Sequence, residues 1–226
     1  MIPVVYLHGF ASGPSSQKAG YFRQRLEAAG LPVAVPDLSA GDFEHLTITG
    51  QLRVLDETAR AVSRGGPVSL MGSSMGGYLA ALYAARHPEV DRLVLLAPGF
   101  RFARRWPEVE GAAVMEEWRR SGFRNVFHYG QGRELRLSYE LLEDAARYED
   151  EPDFRQPALI FHGAHDDVVP SAYSAAFAAT HPNARLQILD SGHELLNVLD
   201  AMARQIVPFL AGHSPVREAA TPASPA

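Results

Sequence analysis

Short apolar runs rich in Val, Leu and Ile recur along the chain, separated by longer stretches in which apolar residues return every three or four positions. The runs at 2–8, 32–36, 67–72, 92–97, 157–162 and 185–190 predict strands, and the stretches at about 16–29, 49–64, 75–86, 171–180 and 195–210 predict helices. Arg92-Leu93-Val94-Leu95-Leu96-Ala97 is apolar almost without interruption, as expected of a strand covered on both faces. Strands alternating with helices imply right-handed crossovers, and therefore an α/β fold with a mainly parallel sheet and helices on both faces.

The rhythm breaks once. Residues 99–156 carry no clear strand pattern, whereas 109–120 and 135–147 have helical spacing, with Pro107 near a first turn. An insertion after a strand's carboxyl end lies where open α/β sheets bind ligands, so 99–156 is expected to be a small helical lid. The whole of 1–212 is expected to form one domain. From 213 to 226, Pro215, Pro222 and Pro225 stand among Ala, Ser and Thr with little to bury, which predicts a disordered tail.

Composition narrows the class. A chain of 226 residues, 46% hydrophobic and 21% charged, suits an ordinary globular domain with its own core. It contains no cysteine, which removes disulfide scaffolds, thiolate metal sites and cysteine nucleophiles together. With 21 basic and 26 acidic residues the net charge is 21 − 26 = −5. Lys18 is the single lysine beside 20 arginines. Ten of the basic residues fall within 101–155, but so do 12 acidic ones; this mixed pattern is not the one-sided basic face that binds nucleic acid. No apolar run approaches the ~18–20 residues needed to span a bilayer. The chain opens directly on the strand pattern Ile2-Pro3-Val4-Val5-Tyr6-Leu7, so a cytoplasmic location without a membrane span is expected.

Gly72-Ser73-Ser74-Met75-Gly76 follows the strand Val68-Ser69-Leu70-Met71 and opens a helical pattern. This is the G-x-S-x-G nucleophile elbow in its strand–turn–helix setting, where the serine projects above the sheet edge and the following helix aims N–H groups at the reacting oxygen. A serine hydroxyl is protonated at neutral pH, so it needs a histidine base that a carboxylate orients. Asp166, in Gly163-Ala164-His165-Asp166-Asp167-Val168-Val169-Pro170, is the acid candidate at a strand's carboxyl edge, ahead of its neighbour Asp167. His193, in Ser191-Gly192-His193-Glu194, is the base candidate, because it alone of nine histidines lies after the last strand and before the last helix. His162 and His165 flank the acid, but no third group at ligand spacing completes a metal site, so no metal is expected. The chain order Ser74, Asp166, His193 separates this arrangement from the two other serine-hydrolase orders.

Charge on a substrate carbonyl oxygen needs two backbone donors. The N–H groups of Met75 and of Phe10, in Tyr6-Leu7-His8-Gly9-Phe10 at the end of the first strand, are the candidates. His8 is expected to prop this loop. Ser15 or Ser16 is expected to cap the first helix, and Ser12 or Lys18 is open to substrate contact. Phe100, Phe102, Trp106 and Trp118 are further pocket candidates, with helical core as the competing expectation. Arg101, Arg104 and Arg105 meet either solvent or an anionic substrate.

Taken together, His8-Gly9-Phe10, Gly72-Ser73-Ser74-Met75-Gly76-Gly77, the Gly163–Pro170 stretch and Gly192-His193 resemble the α/β-hydrolase superfamily over about 2–211. Leu7-His8-Gly9-Phe10 with Ser12 and Lys18 is similar to small bacterial carboxylesterases and the related acyl-protein thioesterases. The resemblance implies nucleophile Ser74, acid Asp166, base His193, oxyanion amides from Phe10 and Met75, and no cofactor. It implies a minimal version of the fold with about six parallel strands, lacking the two leading strands of larger members. A small-molecule ester is the implied substrate and a thioester the alternative. A carbon–carbon bond hydrolase and a non-catalytic ligand receptor use the same scaffold, and oligomeric state is left open.

Overall fold

The computed structural model describes residues 1–212. The tail expected to be disordered, 213–226, lies outside the described residues. Six strands form the main sheet: β1 (Val4–Leu7), β2 (Val33–Ala34), β3 (Val68–Ser73), β4 (Val90–Leu96), β7 (Ala158–Gly163) and β8 (Ala184–Leu189), in the order β2-β1-β3-β4-β7-β8. Every pairing is parallel. All the predicted strands and crossover helices are present, with ends displaced by at most four residues.

Side chains of each strand divide between two cores. Val5, Leu7, Leu70, Leu93, Leu95 and Ile160 face helices α2 (Ile48–Ser63), α3 (Met75–Ala84) and α7 (Ser171–Thr180). Val4, Tyr6, Met71, Val94, Leu96 and Phe161 face α1 (Gln17–Ala28) and α8 (Leu199–Leu210). This alternation is why the strands read as continuously apolar. Each fully buried aliphatic side chain contributes roughly 1.5–3 kcal/mol. Helix starts are set locally: the side chain of Ser16 accepts the Ala19 N–H at 3.4 Å, and that of Thr47 accepts the Gly50 N–H at 2.9 Å.

The insertion departs from expectation in two ways. Helix α4 (Phe102–Glu110) contains Pro107, and α5 (Ala112–Ser121) begins after a break at Gly111, whose φ of 81° ends one helix and starts the next. The expected single helix across 109–120 is therefore two. Where helix was expected from 135, an antiparallel ribbon of β5 (Phe123–His128) and β6 (Arg133–Ser138) comes first, and only α6 (Glu140–Ala145) is helical. Along β6, exposed Glu134 and Arg136 alternate with inward Leu135 and Leu137, a period of two that overrides the weaker helical spacing. The insertion is tied to the framework through polar contacts. Asp144 accepts the Thr49 N–H and hydroxyl, both at 2.7 Å, at the start of α2, and the Tyr78 hydroxyl donates to the Glu149 carbonyl at 2.8 Å. Among the described residues no helix is long and apolar enough to cross a membrane.

Candidate active site

The elbow depends on close backbone packing. Ser74 has φ 53° and ψ −119°, a strained conformation held by its N–H to the Leu96 carbonyl at 2.8 Å and by its own carbonyl, which accepts the Gly99 N–H at 2.9 Å. A Cβ at Gly72 would collide with the Gly76 carbonyl, and a Cβ at Gly76 would collide with the carbonyls of Leu7 and His8. Both glycines are needed because strand, turn and the loop after β1 approach to backbone contact. Ala11, Ala97 and Leu195 also have positive φ, so strain gathers at this end of the sheet.

The loops carrying Asp166 and His193 are joined in the same manner. A side chain at Gly163 would strike the carbonyls of Ser191 and Gly192, and the His165 N–H donates to the Ser191 carbonyl at 3.0 Å. This seam brings His193 between its two partners. Its Nδ1–H donates to Asp166 Oδ2 at 2.8 Å, which leaves the Nε2 lone pair to accept the Ser74 hydroxyl at 3.0 Å. Asp166 Oδ1 accepts the N–H groups of Val168 and Val169 at 2.9 and 2.8 Å.

A second histidine meets the same carboxylate. His162, fully buried, has Nε2 within 3.0 Å of Asp166 Oδ2 and 2.9 Å of the Val169 carbonyl; since both are acceptors, Nε2 carries the proton. Its Nδ1 meets the buried Ser174 hydroxyl at 2.8 Å. Burial alone would push the Asp166 carboxyl up, but hydrogen bonds from His162, His193 and the Val169 N–H hold it well below the usual carboxylate range. The sequence marked His162 only as a neighbour of the acid. Four positions separate the two residues, and the turn between strand and helix folds the carboxylate back over the ring.

Neither the Phe10 nor the Met75 N–H has a hydrogen-bond acceptor among the described residues, so both are available. His8 braces the Phe10 loop: its Nδ1–H donates to the Gly9 carbonyl at 3.0 Å and its Nε2 accepts the Leu38 N–H at 3.2 Å. Burial pushes its pKa down, which favours the neutral ring that this bracing requires. Gly99 was not singled out in the sequence; a Cβ there would crowd the Met75 nitrogen at 3.3 Å.

Ser74 and His193 open into a cavity of about 1170 Å³. Ser12, Phe102 and Trp106 line it, as does Phe100, which is itself only 1% exposed and stacks on Phe177 at 4.6 Å. Trp118 does not: only 2% exposed, it lies behind Trp106 at a ring separation of 5.2 Å and donates from Nε1 to the Leu137 carbonyl at 3.2 Å. Its indole is a core group because the hairpin covers it. The hairpin supplies wall residues absent from the sequence reading, Val126, Phe127 and Tyr129. Its tip reaches the loop after β1, where the Gly130 N–H donates to the Ala11 carbonyl at 3.4 Å. Arg101 and Arg104 are committed to Glu151 and Asp150 at 2.7 and 2.6 Å; of the three arginines named above, only Arg105 lines the cavity.

No curated protein matches the chain. Among solved structures, the alpha/beta hydrolase domain-containing protein 10 from mouse superposes with a TM-score of 0.78 at 18% identity, covering 93% of this chain and 90% of that one. A protein from Xanthomonas campestris pv. campestris, described as a hydrolase of the alpha/beta superfamily, gives 0.64 at 26% identity, covering 94% and 99%. Est1E from Butyrivibrio proteoclasticus with ferulic acid bound gives 0.72 at 20%, covering 94% and 89%. The model of the uncharacterised protein family UPF0227 matches residues 3–211. An all-parallel six-stranded sheet, an elbow at the end of β3 and a family match spanning nearly every described residue lead to one assignment: the chain belongs to UPF0227 and has the α/β-hydrolase fold.

Proposed function

We propose that the protein is a serine hydrolase that cleaves a small-molecule carboxylic ester through an acyl-enzyme on Ser74. The observation that carries this reading is the unbroken chain from the Ser74 hydroxyl through His193 to Asp166, at 3.0 and 2.8 Å, opening into a cavity. Structural neighbours named as hydrolases support the same reading.

In the first step Ser74 Oγ attacks the carbonyl carbon while His193 Nε2 takes its proton. The carbonyl π pair moves onto oxygen, and the N–H groups of Phe10 and Met75 bind the resulting oxyanion; one such donor is worth about 3–4 kcal/mol. Collapse reforms the carbonyl and breaks the bond to the alcohol oxygen, which leaves with the proton from His193. Water, deprotonated by His193, repeats the attack on the acyl group and releases the acid and free Ser74. Asp166 holds the imidazole in the tautomer with the proton on Nδ1 and stabilises the imidazolium. His162 fixes the carboxylate's orientation. The insertion at 99–156 acts as the specificity cap of the single domain, and no metal or cofactor takes part.

Ser74→Ala is the decisive variant. It should reduce hydrolysis of short aryl esters by at least about ten-thousand-fold and abolish labelling by a fluorophosphonate. The melting temperature should stay within about 2 °C of wild type. Retained turnover would remove Ser74 from the mechanism.

A further inference from the structure

One side of the cavity has no part in the reaction as drawn. Lys18 stands in the first turn of α1 and lines the cavity together with Ser74 and His193, yet it is only 9% exposed. An ammonium has three N–H donors, and Lys18 makes no side-chain hydrogen bond to any described residue. Its ionic neighbour is Glu194, 4.0 Å away on a side chain that is 72% exposed. Burial pushes its pKa down, opposed by the charges of Glu194 and Asp166. The first turn of a helix also favours an acid over a base, because the macrodipole is positive there. Burial, missing hydrogen bonds and helix position all disfavour a cation here, and folding alone gives no reason to place one.

A further hydroxyl belongs to the same side of the cavity. The Tyr6 hydroxyl is buried and belongs to a residue lining the same cavity; no group meets it in full hydrogen-bond geometry, its neighbouring side-chain partner being the Ser73 hydroxyl. The arginines of the cavity already have counter-charges or acceptors. Arg105 donates to the Val168 carbonyl at 2.9 Å, and Arg124, whose buried Nη1 makes no hydrogen bond, forms an ion pair with Glu110 at 3.1 Å while lying over Trp106 and Trp118. Tyr6 packs on the face of the sheet that carries α1, whereas Phe10, Phe102 and Trp106 pack with the opposite core. The cavity therefore joins a cationic corner to an aromatic wall, with Ser74 opening into the same space.

We propose that Lys18 and the Tyr6 hydroxyl form an anion subsite, and that the substrate is an ester or thioester carrying a carboxylate or phosphate as well as an apolar portion. An incoming anion would replace Glu194 as the counter-charge without stranding it, since that carboxylate stays in solvent. The proposal rests on the hydrolase reading and supplies its substrate class.

The test compares four substrates in wild type, Lys18→Met and Lys18→Arg. 4-Nitrophenyl butyrate is the neutral reference. Mono-4-nitrophenyl glutarate puts a carboxylate on the acyl side, 4-butyryloxybenzoate puts one on the leaving group, and butyryl-coenzyme A puts phosphates on the leaving group. Lys18→Met should lower kcat/KM for at least one anionic substrate by about tenfold or more, mainly through KM, and leave 4-nitrophenyl butyrate within about threefold. Lys18→Arg should restore part of the loss. The substrate affected identifies the anion and its side of the scissile bond. An equal loss on all four substrates, or no loss on any, overturns the proposal and leaves the hydrolase reading intact. If wild type turns over none of them and a fluorophosphonate leaves Ser74 unlabelled, the hydrolase reading itself fails. Binding then decides the subsite: hexanoate or hexyl phosphate, but not hexanol, should raise the melting temperature of wild type and not of Lys18→Met, and equal responses overturn it.

Discussion

The carboxyl edge of the sheet and the insertion at 99–156 enclose the same cavity by opposite means. At the sheet edge the candidate catalytic groups are fixed by backbone: glycines pressed against carbonyls, a serine at φ 53°, and loops joined by main-chain hydrogen bonds. In the insertion the wall is made by side chains. Phe10 meets Trp106 edge-on at 5.6 Å, Trp106 tilts against Trp118 at 5.2 Å, and Arg124 lies over both indoles. A backbone contact has no rotamers with which to absorb a change, whereas a side-chain wall can repack. Chemistry needing sub-ångström placement belongs on the first kind of support, and substrate choice can vary on the second.

Substitutions can break this contrast. The largest effect is expected at Gly76→Ala, where a new Cβ meets the carbonyls of Leu7 and His8. It should cost about 3 kcal/mol or more in urea unfolding and remove activity with it. A fully stable Gly76→Ala protein would show that the edge is softer than its geometry indicates.

Asp166→Asn comes next and separates chemistry from stability. It should lower kcat by about ten-thousand-fold while the fold survives, because the imidazole loses its tautomer and its counter-charge. Asp166 in the folded protein holds its charge below the range in which a free aspartate titrates. Its contribution to stability is therefore complete above that range and declines as pH falls through it toward the depressed value. Urea unfolding between about pH 3 and 7 should lose stability less steeply on the acid side in Asp166→Asn than in wild type. Parallel curves would mean that the histidines do not hold the carboxylate as described.

The mildest effect is expected from the insertion. Trp106→Ala should change the ratio of kcat/KM between long and short acyl esters by roughly tenfold and leave the shortest ester within about threefold. A loss as large as that of Asp166→Asn would move Trp106 from the substrate wall into the machinery.

Local pattern was enough to order the elements. A buried parallel strand, a glycine-flanked serine before a helix, and an Asp and a His at later strand ends each leave their mark within a window of about ten residues. Ser74, Asp166 and His193 could be picked out for that reason, and the structure brings them within hydrogen-bonding distance. The insertion resisted because its marks conflict: the spacing at 135–147 fits a helix, while Leu135 and Leu137 are drawn inward by Trp118 and the rest of the core.

Other features exist only through contacts between distant segments. No window of sequence reveals that Trp118 lies behind Trp106 while Phe127 faces the cavity, because that depends on which side of the ribbon the core takes. The same holds for His162, which becomes a partner of Asp166 only when the loop after β7 turns back on the strand. Lys18 in the sequence is a polar residue in the first turn of a helix, the ordinary setting of a solvated charge. Packing α1 beside the elbow buries it, and that burial makes a surface lysine into a candidate anion site. Periodicity and turn chemistry are encoded locally, so the sequence could establish the fold and single out Ser74, Asp166 and His193 as candidates. Burial and hydrogen-bond satisfaction depend on the assembled chain, so only the tertiary structure could decide what surrounds them.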